Sequence, residues 1–594
     1  MAVLTPGLVF LSHRLLSLVC LSVLVASVRL ALNAYLGLSI PAWAYVVLTA
    51  LCTPLALIMR IILDEMHHRR RASVLGARMV PRVIGRSFGN VDLLKTVFKE
   101  TQDGYPADLR FAWASVYGNT YNLRVFWDNL FMTDEPDTIK LILASDFANY
   151  EKGNKLRNSL HSVLGTGVFN SDGNMWKFHR SMTRPFFSRD RISDFENFAH
   201  HADNVIYQMK TRFKEGYAVD FQDAISRFTL DSASEFLLGQ DVQSLSTGFS
   251  YPHCAQDYKD SQDPYLYLSP AEAFSCAFKE AQEALAQRVR GGPIWPIWEI
   301  FKDNTARPMK VVDAYLLPIV NKAIEKQRDR ARGCADDDKI GEEETLLDHL
   351  VTLTTDKTVL RDEILNILVA SRDTTASTLT FVIYFLATNP TVLARLREEV
   401  LTKVGPSARP TYADIKDMKY LRAVVNETLR LFPPVPFNVR GTVRETMWPS
   451  TNPTEKPFYI PAKSSCLYSV FAMHRRTDLW GSDALEFDPD RFLDERVQYF
   501  TANPFIFLPF NAGPRICLGQ QFAYNEMSFM IIRLLQNFSS ISLDPSAQPP
   551  ETLPPVSWAR QWGRKGIEQF RPKSHLTMYS YGGLWVTMKQ VEAM

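Results

Sequence analysis

The 594-residue sequence predicts a mainly α-helical protein with a small β region, built as one large domain behind an apolar N-terminal anchor. Three observations carry this expectation. Helical periodicity dominates from about Asn174 onward, strand-like runs are short and confined to residues 123–126 and 130–133, and residues 40–59 carry no charge. Apolar residues at 46% and aromatics at 12% supply a large core, which excludes global disorder. The 66 basic and 64 acidic side chains nearly cancel, so composition gives no case for a nucleic-acid partner. The 7 cysteines are scattered, no two at the Cys-x-x-Cys spacing of zinc or redox sites.

The apolar segment 1–39, interrupted by Arg29 and Asn33, reads as either a first span or an interfacial stretch. Residues 40–60 match the roughly 20 residues of a transmembrane helix. Arg60 and then His67-His68-Arg69-Arg70-Arg71 follow in a basic linker, residues 61–78, and basic flanks stay on the cytoplasmic side. The domain of residues 79–594 is therefore expected in the cytosol.

Residues 137–144 read as a helix, and loops are expected at residues 243–264 and at Gly291-Gly292-Pro293. The longest helix is predicted over residues 356–388, stopped by Asn389-Pro390. Its two halves are almost wholly apolar, yet Ser371-Arg372-Asp373-Thr374-Thr375 sits between them. A polar cluster inside a buried helix costs free energy unless it is hydrogen-bonded or lines a cavity. Such conflicts with local preference mark functional sites. No internal repeat points to a second folded domain.

The sharpest local signal is Phe510-Asn511-Ala512-Gly513-Pro514-Arg515-Ile516-Cys517-Leu518-Gly519. It joins a glycine-containing loop to a helix expected to begin near Cys517, where the helix dipole and free N–H groups would favour a thiolate. A thiolate is a strong iron ligand. Gly513 and Gly519 leave room for a flat macrocycle, Phe510 can pack beside it, and Arg515 can pair with a carboxylate.

This segment resembles the haem-binding signature of the cytochrome P450 family, and the likeness extends from about Met79 to the C-terminus. It implies the cytochrome P450 fold and a haem b cofactor with Cys517 as axial thiolate and metal ligand. By the same resemblance Glu427-x-x-Arg430, on a helix over residues 419–431, forms a buried charge network with Arg491, while Trp176, Arg180 and Arg440 join Arg515 as propionate partners. Ala370-Ser371-Arg372-Asp373-Thr374-Thr375 resembles the oxygen-activation stretch. This implies Asp373 and Thr374 as a catalytic acid and alcohol pair. Ser371 replaces the family's usual glycine.

Arg372-Asp373-Thr374-Thr375 and Met473-His474-Arg475-Arg476, with the anchor, look most like fungal membrane-bound monooxygenases that hydroxylate alkanes and fatty acids. The resemblance implies an endoplasmic reticulum location and oxygen insertion from O2 into a hydrophobic substrate. Its pocket would draw on residues 163–169, the central helix, residues 435–438 and a C-terminal turn at residues 579–584. No glycine-rich dinucleotide fingerprint follows a strand, so electrons are expected from a separate NADPH-cytochrome P450 reductase, with Lys177, Arg180 and Arg184 offering it a basic surface. Two alternatives are a haem-thiolate isomerase or dehydratase acting on peroxides and a non-catalytic haem-binding paralogue. Asp373, Thr374 and the intact loop speak against both.

Overall fold

In a computed structural model of the protein, which describes residues 4–37, 41–187, 195–255, 269–332, 345–561 and 563–591, the predicted central helix is present. In chain order the elements used below begin with α1 (Pro6–Leu36), α2 (Ala42–Val74), β1 (Arg82–Val83), β2 (Thr120–Val125), β3 (Asp128–Thr133) and β4 (Tyr150–Glu151). Next come α3 (Gly173–Thr183), α4 (Phe221–Leu238), α5 (Pro270–Gly291), α6 (Lys357–Thr388) and α7 (Lys419–Leu431). The last are β5 (Phe437–Thr442), β6 (Ser465–Ser469), α8 (Gln520–Asn537), β7 (Pro572–Ser574) and β8 (Met578–Ser580).

Asp356 caps α6 by accepting hydrogen bonds from the Thr358 and Val359 amides at 2.8 and 3.2 Å, a contact worth about 1 kcal/mol. The helix runs through the middle of the domain. Leu360, Ile364, Leu365 and Leu368 enter one apolar cluster with α4 and α5, whereas Leu379, Phe381, Val382 and Phe385 enter another with α7 and α8. The polar stretch 371–375 therefore falls at the seam between two cores.

The main sheet has the order β1-β2-β3-β6-β5-β4. The antiparallel β5–β6 pairing sets Arg440 opposite Cys466. Phe126 lies outside the strand predicted for it, because Phe126 and Trp127 form the hairpin turn at φ 47° and 61°. Residues 137–144 are helical as expected but divide into an α-turn, Pro136–Lys140, and a π-helical stretch, Leu141–Ser145. Part of the predicted loop 243–264 lies outside the described residues, while Ser244–Thr247 form a 3-10 turn.

The N-terminal region differs from expectation in one respect. Residues 61–74 of the predicted basic linker continue α2 and dock on the domain. Glu65 accepts from Arg82 at 2.6 Å, Arg69 at 2.8 Å and Arg124 at 2.9 Å. Partial burial opposes its charge, yet these guanidiniums hold the carboxyl down at about 2. Arg71 pairs with Glu445, and Ala72 is buried. Among the described residues no single helix is long and apolar enough to cross a membrane.

Candidate active site

Cys517 stands in the wall of a cavity of about 780 Å³ lined by Trp176, Arg180, Phe187, Gly513 and Ile516, among others. The helix expected at Cys517 begins later, at Gln520 with Gly519 as its cap, so the cysteine lies in the loop ahead of it. The cavity exposes the residue to solvent while protein crowds its sulfur. Burial pushes the thiol up, outweighing the Gly519 amide and the Arg180 charge that favour thiolate. The Cys517 amide donates to the Phe510 carbonyl at 3.1 Å, and Phe510 packs against Tyr524 at 5.1 Å between ring centroids.

Gly513 also meets a constraint from within the protein. Its φ is +69°, and an added Cβ would lie 1.9 Å from the Leu143 carbonyl oxygen, so the residue lets the loop rest against the π-helical stretch. Gly519 meets nothing closer than the Phe187 ring at 3.7 Å. Arg180, expected to face a propionate, donates to the Ile516 carbonyl at 3.0 Å and so steadies the residue before Cys517. Trp176 lies beside two guanidiniums, with Arg515 centred 4.6 Å and Arg180 5.9 Å from its ring.

Arg515 bonds Asp172 at 2.7 Å and the Ser171 carbonyl, and its Nε has no partner. Burial, then Arg440, push its guanidinium down to about 10. Arg440, only 3% exposed, reaches its neighbour's carbonyl on Val439 at 2.9 Å. Lys152, which sequence reasoning missed, joins them: burial, then Arg440 and Arg515, hold its ammonium well below the usual lysine range. With Arg157 3.7 Å from Asp172, four basic side chains thus gather about this one carboxylate. A desolvated positive surplus of this kind fits a cofactor bearing two carboxylates, as haem b does.

Behind the loop, Glu427 and Arg430 form a fully buried bidentate pair at 2.7 and 2.8 Å. Arg491 approaches Glu427 at 3.5 Å, completing the predicted triad. Arg430 also donates to the carbonyls of His474, Ala484 and Glu486. His474 then carries the network to the cysteine loop. One ring nitrogen bonds the Arg430 carbonyl at 3.1 Å and the other accepts the Leu508 amide at 2.9 Å. Burial, then Arg430, keeps this ring neutral, with its pKa lowered to about 3.

On α6, from which no described residue lines the Cys517 cavity, the hydroxyls satisfy themselves within the helix. Ser371 donates to the Ile367 carbonyl at 2.9 Å and Thr374 to that of Ala370 at 2.7 Å, which leaves the Thr374 oxygen able to accept. Asp373 lies 3.5 Å from Arg372, and one of its oxygens is buried without a partner. Burial raises its pKa. Backbone amides of Thr166, Val168 and Phe169 donate to Asp362, Glu363 and Asn366, clipping the predicted pocket loop onto α6. The predicted C-terminal turn follows β8, where Gly582 and Gly583 take positive φ and the Gly583 amide donates to the Ser580 carbonyl at 3.2 Å, before the strand Trp585–Gln590.

Glu526 on α8 is the second residue sequence reasoning missed, although an acid beside Met527, Phe529 and Met530 carries the same signal as the α6 polar stretch. It accepts from Ser232 at 2.7 Å and faces Thr375. Burial lifts its carboxyl from 4.5 to about 8. The folded chain therefore keeps a proton that the unfolded chain loses, so this stabilisation is complete below pH 4.5 and lost as pH rises toward 8. Glu526→Gln, which keeps the neutral shape, is expected to melt at the parental temperature at low pH and above it beyond pH 8. Identical melting curves across that range would reject the assignment.

The profile of the cytochrome P450 family matches residues 97–561. The chain belongs to that family, the haem-thiolate monooxygenases, whose members bind haem through a cysteine thiolate. It is 35% identical over 446 residues to the cytochrome P450 monooxygenase himC of Aspergillus japonicus, covering 75% of this chain and 73% of that one. Cytochrome P450 52E1 of Candida apicola is 36% identical over 416 residues, 69% of this chain and 76% of its own. Cytochrome P450 52-M1 of Starmerella bombicola is 34% identical over 487 residues, 78% and 86% respectively.

Proposed function

We propose that the protein inserts one oxygen atom from O2 into an apolar substrate, a fatty acid, alkane or similar compound, with electrons from a separate NADPH-cytochrome P450 reductase. The carrying observation is the cysteine loop set against α3 beside the cation cluster of Lys152, Arg440 and Arg515. Haem bound there supplies the oxygen activation. Cys517 would supply its thiolate ligand, Arg515, Arg440 and Lys152 would hold its carboxylates, and Trp176 and Arg180 keep the loop and Arg515 in place. Phe510 and Gly513 fix the loop's path. Thr374 orients a proton donor on the α6 side, and Asp373, whose pKa burial raises, returns protons to it.

By this reading residues 40–60 hold the protein on the endoplasmic reticulum membrane with its domain in the cytosol. Leu15, Val19, Leu24 and Leu30 on α1 and Trp43, Leu55, Ile58 and Met59 on α2 are exposed, an apolar surface suited to lipid. Lys177 and Arg184, exposed beside the cavity, suit an acidic electron donor.

Purified protein with reductase is expected to consume NADPH faster when an apolar substrate is added and to yield a product one oxygen atom heavier. Conversion of a lipid hydroperoxide without reductase, and no NADPH-dependent product, would favour the isomerase instead. Removal of residues 1–59, which spares Glu65, should move the protein into the soluble fraction with its haem retained. Protease protection of the domain in sealed microsomes would place it in the lumen and refute the topology.

A further inference from the structure

Glu363 on α6 is fully buried, and two other parts of the chain share its carboxylate. One oxygen accepts the Thr183 hydroxyl of α3 at 2.6 Å. The other accepts the Val168 amide at 3.1 Å, and Nδ1 of His179, also on α3 and also fully buried, stands 2.7 Å from it. Among the described residues no Lys or Arg pairs with Glu363. A buried carboxylate costs free energy unless donors surround it, so moving α3 would strand part of a charge. Glu363 therefore fixes α3 against α6 both in distance and in rotation.

The turn of α3 that Glu363 grips also carries Arg180. His179 and Thr183 lie one turn apart on a single face, and Arg180 follows His179 by about 100° round the helix. That step brings Arg180 into the wall of the cavity it shares with Trp176 and Cys517. There it donates to the Ile516 carbonyl at 3.0 Å, and the charged groups it faces are Arg184 and Cys517. No carboxylate pairs with Arg180 among the described residues, so nothing there cancels its charge beside the cysteine. Glu363 itself does not line the cavity.

We propose that Glu363 is a positioning residue for Arg180. Through His179 and Thr183 it holds α3 where the Arg180 guanidinium meets the Cys517 loop, and by doing so it tunes the reduction potential of the bound haem. A positive charge beside the thiolate favours the reduced state, which carries one more electron, and partial burial limits the screening of that charge. Loosening α3 removes this bias and makes the haem harder to reduce. The proposal rests on the reading of Cys517 as the haem ligand and holds for any substrate.

The test compares the haem-loaded full chain as parent, Glu363→Gln, Thr183→Val, Thr183→Ser and Arg180→Gln, together with Arg180→Gln combined with each of the first two. Reduction potentials are read by spectroelectrochemical titration, with hydrogen exchange of the α3 amides and thermal melts alongside. Glu363→Gln and Thr183→Val are each expected to speed exchange across α3 and to lower the reduction equilibrium constant about threefold to tenfold, where tenfold is about 59 mV for one electron. Thr183→Ser keeps the hydroxyl and should stay near the parent. Arg180→Gln should lower the constant at least as far, and adding either other substitution to it should shift the potential no further while still costing melting temperature. Additive shifts in the combined variants would mean that Glu363 acts by another route and would overturn the proposal. Parental potentials in both Glu363→Gln and Thr183→Val, with lowered melting, would make the contact purely structural and overturn it too. Should Glu363→Gln fail to fold, Thr183→Val, which changes one buried hydroxyl to a methyl, decides the matter with its own combined variant. A parent that lacks the thiolate spectrum would refute the ligand reading, a failure visible before any variant is compared.

Discussion

Cys517→Ser is expected to give a folded protein that has lost both turnover and the distinctive spectrum of thiolate-ligated, carbon monoxide-bound reduced haem. A serine hydroxyl donates far less electron density to iron than a thiolate does. The loop itself should survive, because its path is held by backbone contacts: the Cys517 amide to Phe510 and Arg180 to the Ile516 carbonyl. Circular dichroism and the carbon monoxide difference spectrum separate the two effects. Cys466→Ser is the control, since that thiol is buried in β6 and burial pushes it up. Should Cys517→Ser keep the spectrum and Cys466→Ser lose it, the ligand assignment falls.

Thr374→Ala should leave substrate binding and NADPH consumption nearly intact while product formation falls and hydrogen peroxide accumulates. The hydroxyl donates to Ala370, so what it offers the pocket is an acceptor that can hold a proton donor in place. General acid assistance is commonly worth about 10² to 10⁴-fold, and coupling should drop on that scale. Thr375 provides the comparison, because it is about 100° further round the helix and faces Glu526 on α8. Uncoupling in Thr375→Ala but not in Thr374→Ala would transfer the alcohol's role to Thr375.

Local signals made much of this legible. Asp356 and Asn389-Pro390 bound α6 within one residue of expectation, and α7 spans the predicted residues 419–431, because caps and periodicity act within a few residues. The pairing of Glu427 with Arg430 followed from their spacing on one helix. What failed depended on distant partners. Nothing near Lys152 announces Arg440 and Arg515, and nothing near Glu65 announces Arg124. The π-helical stretch that Gly513 rests against lies in another part of the chain, so that contact was not legible locally. Cys517 was placed on α8 because the apolar pattern continues across Gly519, where the cap intervenes.

The docking of α2 also decides how the molecule can move. A helix continuous from Ala42 to Val74, gripped by Arg82 and Arg124 at Glu65 and by Glu445 at Arg71, acts as a bracket instead of a tether. Turning the domain about α2 would have to break the Glu65 and Arg71 contacts together. A force applied to the first half of α2 would therefore pass through Arg82 and Arg124 into the main sheet instead of being lost in a flexible joint.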